Sequence, residues 1–171
     1  MMRSESARMS SAAEARFRID APNSTPRAVK VIALDRPSEV ALKRIAQLDW
    51  NNADFLTASA LAGTTHSDSA LSMENWLSDL VGRTKALVQE IDAADLVVMV
   101  ATAGENAAAA AVIAETCRLR GVMTTVLIRG STSASDDATA RTLAPLRPHA
   151  LMVVMASGDD YIADMLTALR A

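Results

Sequence analysis

The chain has few of the residues that usually announce a site. Its 171 residues include one cysteine, two histidines, six glycines and only 3% aromatics. A lone Cys117 excludes a disulfide framework and points to a reducing compartment. His66 and His149 are far apart and, with one cysteine, match no metal-ligand spacing, so no metal is expected. His66 reads as a solvated loop residue and His149 as a structural residue at the start of a strand. Serines and acids are plentiful, but nothing resembles a nucleophile elbow, and no catalytic residue is assigned. No apolar run approaches the length of a membrane span, and the N-terminus has no apolar signal core. The expectation is a cytoplasmic, soluble protein with no membrane span. A net charge of −3 argues against a nucleic-acid partner.

What is abundant is apolar and small. Half of the residues are hydrophobic, with nine methionines, which suits a core of small and adaptable side chains between helices and a sheet. The length fits one domain. Residues 1–27 hold five arginines against three acids, two prolines and no sustained periodicity, and read as a disordered tail. Residues 28–171 read as a single domain.

Within that domain, apolar runs alternate with helical patterns. Residues 28–34 (AVKVIAL) predict a first strand, followed by a helix that opens at Pro37 and shows Val40, Ala41, Ile45 and Leu48 on one face. Residues 54–59 predict a short second strand and residues 60–72 a loop. Residues 73–91 predict a long helix capped by Ser72, with Trp76 on its core stripe. Residues 96–101 form a valine-rich run expected of a strand covered on both faces. Asn106 starts an alanine-rich helix that Gly121 closes as a C-cap, and residues 122–128 give another strand. Together these make a right-handed, parallel βαβ unit. A serine-threonine loop, a helix over 138–146 with Leu143 and Ala144 inward, a strand over 150–155 and a final helix complete the pattern. Ile162, Met165, Leu166 and Leu169 form the last helix's stripe, and residues 157–160 its cap. The expected fold class is α/β, a three-layer Rossmann-like, doubly wound and mainly parallel sheet.

In such sheets ligands bind beyond the strands' carboxyl ends. That rule selects Thr102, Gly104, Glu105 and Asn106 after the central strand, and Asp35 with Arg36 after the first. For Asp35 the competing reading is a helix cap; for Thr102, Glu105 and Asn106 it is also capping.

Three collinear blocks resemble the N-terminal nucleotide-binding domain of the FtsZ/tubulin family. VKVIALDRPSEVALKRI (29–45) is similar to its opening strand and helix. ADLVVMVATAG with AVIAETCRLRGVMTTVLIRG (94–130) is similar to its strand, phosphate loop, helix and next strand. LAPLRPHALMVVMASGDDYIADML (143–166) is similar to the helix, strand and helix that follow. The resemblance implies an FtsZ/tubulin GTPase-domain-like fold, GTP as cofactor, a homo-oligomer, and an intact FtsZ or another protein as partner. The loops depart from the family's pattern. Its first glycine run falls on Asp35, Arg36, Pro37, Ser38 and Glu39, and its GGGTGTG signature on residues 104–108 with one glycine kept. The second glycine loop is replaced by residues 63–72, and the chain stops before the family's C-terminal subdomain. Carboxylates at 35, 39 and 105 and Cβ atoms from Ala107 onward oppose a triphosphate.

The expected function is therefore a degenerate, non-catalytic FtsZ-like protein acting by interaction or regulation. The alternative is a binder of a nucleotide-like or sugar-phosphate molecule at the strand ends, with weak enzyme activity.

Overall fold

A computed structural model describes residues 26–58 and 86–171. Most of the N-terminal segment, the loop over 60–72, His66, Trp76 and the first part of the predicted long helix lie outside them.

Five strands form one parallel sheet: β1 (Val29–Ala33), β2 (Ala53–Thr57), β3 (Leu96–Thr102), β4 (Met123–Arg129) and β5 (Met152–Ala156). Their order is β2-β1-β3-β4-β5, with every neighbouring pair parallel. This is a Rossmann-like α/β sheet with the flavodoxin-like strand order, whose direction of winding reverses between β1 and β3. The helices are α1 (Arg36–Ile45), α2 (Ala109–Arg120), α3 (Asp136–Leu146) and α4 (Asp160–Ala168), together with helical residues 86–92.

Both faces of the sheet are covered, which is why β3 is apolar at six consecutive positions, Leu96 to Ala101, rather than at alternate ones. On one face Ile32, Val97, Met99, Val126 and Ile128 pack against Ile113 and Cys117 of α2, Leu146 of α3 and Ile91. On the other, Val31, Val98, Val100 and Leu127 pack against Leu42 and Ile45 of α1 and Ile162 and Leu166 of α4. Cys117 is fully buried, and that burial pushes its thiol up to about 11, so the thiol stays protonated.

Several predicted details move. Helix α2 starts at Ala109 rather than Asn106, so its first turn holds no acid. Val40 and Leu48, read on the apolar face of the first helix, are exposed; so is Ala144, and α3 buries Thr139, Thr142 and Leu146 instead. Alanine's small side chain gives a weak facing signal, so neighbouring threonines took the inward positions. Helix α3 ends at Leu146, as predicted, with Pro145 in its last turn, and His149 sits in a single 3-10 turn (Arg147–His149) before β5 rather than starting the strand. Gly121 closes α2 in the left-handed conformation at φ 69°, as predicted.

Candidate functional site

The reversal between β1 and β3 places the end of β1 beside the end of β3, and β4 next to that. Asp35 follows β1 by two residues, Thr102 ends β3 and Arg129 ends β4 in register with Thr102. Helix α1 begins immediately after Asp35, with Pro37 in its first turn, where a missing N–H is harmless.

Asp35 is buried, at 7% exposure, and its carboxylate accepts from three donors. Oδ1 takes the Ser38 N–H at 2.8 Å, which caps α1, and the Thr102 hydroxyl at 3.0 Å. Oδ2 takes the Thr102 N–H at 2.7 Å. The Thr102 hydroxyl also meets Ser38 Oγ at 3.0 Å and lies 3.4 Å from an Arg129 guanidinium nitrogen. The guanidinium donates in addition to the Pro37 carbonyl at 3.2 Å, and it is clamped by Asp159 at 2.7 and 2.8 Å. A continuous polar chain therefore runs from Asp159 through Arg129 and Thr102 to Asp35 across the strands' carboxyl ends. Asp35 and Ser38 are the buried members, while Thr102, Arg129 and Asp159 are half-buried, and the Asp35 carboxylate has a donor on each oxygen.

The loop after β3 is tied to a different element. The Gly104 N–H donates to Thr142 Oγ1 at 2.9 Å, and that hydroxyl donates to the Glu105 carbonyl at 3.0 Å. Thr142 is 1% exposed, so this pair fixes the loop to α3. Gly104 has φ 92°, which side chains resist, while the space for a Cβ is ordinary at 3.5 Å from Ala138 Cβ. Asn106 Oδ1 accepts from Ala108 N–H at 2.9 Å, just ahead of α2. Asn106, rather than Glu105, thus supplies the acceptor beside that helix start.

Of the six residues selected from sequence, the structure brings Asp35 and Thr102 into one network. Gly104, Glu105 and Asn106 form a separate loop, exposed at each of those positions, and Arg36 is exposed on the first turn of α1. Sequence reasoning missed Ser38, Arg129 and Asp159. Arg129 was visible as a cation ending a buried run, and parallel pairing with the central strand would have aligned it with Thr102. Among the described residues, no three His, Cys, Asp or Glu side chains are grouped to hold a metal, and no helix is long and apolar enough to cross a membrane.

A second polar cluster lies at the opposite end of the sheet. Lys30, the second residue of β1 and 6% exposed, pairs with Asp54 of β2 and with Glu90 at 2.9 Å. Burial alone would lower its basicity, but the two carboxylates more than offset that, and the ammonium sits above the ordinary lysine range.

No family model matches the chain, and no curated protein matches it. Among solved structures, the chain is similar to translation elongation factor SelB from Methanococcus maripaludis in complex with the GTP analogue GppNHp. The identity is 13% and the TM-score 0.49, over 87% of this chain and 34% of that one. It is also similar to a conserved protein from Enterococcus faecalis V583, at 14% identity and TM-score 0.46, over 82% of this chain and 98% of that one. The chain spans about a third of the length of the SelB structures. These likenesses concern the fold and say nothing of chemistry.

Proposed function

We propose that this is a non-catalytic, FtsZ-like Rossmann domain that works through protein contact, with its ligand crevice closed from within. The observation that supports it is the Asp35 carboxylate. A phosphate at this end of the sheet needs free backbone N–H groups and a positive helix end. Asp35 already occupies the Ser38 and Thr102 N–H groups, and its negative charge stands where the phosphate oxygens would go. Arg129 does not compensate, because Asp159 neutralises it. A ligand would have to displace a buried, thrice-bonded carboxylate and then lie against it. The FtsZ affinity itself rests on the three collinear sequence blocks.

Thermal-shift screening against GTP, other nucleotides, flavin mononucleotide and sugar phosphates, each with magnesium, tests this reading. The expected result is no shift at millimolar ligand. A dose-dependent stabilisation would overturn it and support the small-molecule binder instead.

A further inference from the structure

We propose that β5 is a self-pairing edge: two copies of the chain join their sheets antiparallel along β5, about a two-fold axis at Val153. This names the partner for the reading of protein contact above, and rests on that reading.

Among the described residues, strand β5 ends the sheet on one side, with β4 as its one neighbour. Edge strands usually carry a charged side chain, a proline or a bulge that discourages further pairing. The opposite edge follows that rule, since β2 carries the exposed carboxylate of Asp54. The β5 segment does not: residues 151–156 read LMVVMA, with no charge and no proline. Three of its side chains are unusually open for their type, Leu151 at 79%, Met152 at 50% and Met155 at 51%.

The register follows from the backbone. The Leu151 N–H bonds the Thr124 carbonyl on β4, so by alternation the N–H and C=O of Met152 and Val154 face outward. An antiparallel pair must set outward residues opposite outward ones. Centring the axis on Val153 does so, placing Met152 against Val154 and Leu151 against Met155, so each exposed apolar side chain meets an apolar one. A two-fold interface must be self-complementary, and this register is. Charge agrees with it. The exposed Arg147 precedes β5 and the exposed Asp160 follows it, so antiparallel pairing brings the basic end of each copy beside the acidic end of the other.

Sedimentation equilibrium of the full chain tests the pairing. The expected result is a monomer–dimer equilibrium in the micromolar range. Met152→Lys, which puts a charge on the open edge, and Val154→Pro, which removes one outward N–H while sparing the bonds to β4, should each shift it to monomer with an unchanged melting curve. Arg147→Glu should weaken the dimer roughly fivefold, as two exposed ion pairs warrant, and Asp160→Arg in the same chain should restore it. Val153→Cys should crosslink readily on mild oxidation, because the two Val153 Cα atoms would lie about 4.5 Å apart, within disulfide reach. Thr167→Cys on the exposed face of α4 should not, and the buried Cys117 is silent. A chain that stays monomeric throughout would overturn the proposal, as would a dimer that survives both edge variants or a charge swap that fails to rescue. A monomer that also gave a flat ligand screen would refute this interface and leave the closed crevice standing.

Discussion

The sheet has a polar cluster at each end, and the two are built on opposite plans. At the carboxyl end, Asp35 is buried and its partners are mostly fixed backbone donors and a hydroxyl whose position the strands dictate. At the amino end, the buried group is a lysine, and its partners are two carboxylates that keep about half of their surface in water. The first cluster replaces a ligand's interactions with the protein's own. The second lets one charged side chain cross an apolar strand and remain solvated through its counter-ions. Burial alone therefore does not distinguish a functional crevice from a structural accommodation; the rigidity and direction of the partners do.

Substitutions should separate the plans, beginning with the largest effect. Asp35→Ala leaves the Ser38 and Thr102 N–H groups without acceptors and uncaps α1, and should cost about 3 kcal/mol in chemical denaturation. The amino-end cluster should yield when its counter-ions are removed. Asp54→Asn with Glu90→Gln leaves the Lys30 ammonium buried without a counter-charge, and should cost about 2 kcal/mol at neutral pH. In the unaltered protein Lys30's basicity is raised in the folded state. Its contribution is therefore complete below the ordinary lysine value of 10.5 and is lost as pH rises through the higher folded value. Stability profiles above pH 10 should show that loss in the parent and lack it in the double variant.

Thr142→Val, which strands the Gly104 N–H and the Glu105 carbonyl while keeping side-chain volume, should cost about 1–2 kcal/mol. It should also raise amide exchange in the loop after β3 without affecting Ser38. Lys30→Met should have the smallest effect, within about 1 kcal/mol of the parent, because an apolar chain of similar length fills the site and both carboxylates can hydrate. A large loss from Lys30→Met, or a small one from Asp35→Ala, would erase the distinction between the two ends.

Much of the fold was legible because the central strands carry consecutive apolar residues and the helices carry period-matched stripes. Leu96–Thr102 and Met123–Arg129 could hardly be read otherwise, and Gly121 marked a helix end. Helix starts were less legible. Asn106 looked like the start of α2 because it is a good capping residue and the alanines after it are strong helix formers, so residues 107 and 108 read as helix. Within the crevice, Asp35 and Thr102 were found by their positions after strands, and Asp35 was weighed there as a cap, the position it takes. Arg129 and Asp159 were missed because their meeting depends on β4 and α4 converging across 30 residues. Lys30 was overlooked because one charge inside VKVIA reads as noise until β2 sets Asp54 beside it.

The closed crevice is tested most directly by amide hydrogen exchange at Ser38 and Thr102, followed residue by residue with and without magnesium GTP. Closure by Asp35 predicts slow exchange at both amides in the free protein, unchanged by millimolar nucleotide and accelerated in Asp35→Ala. Fast exchange at these amides that slows on adding nucleotide would contradict it, since the donors would then be free to hold a phosphate.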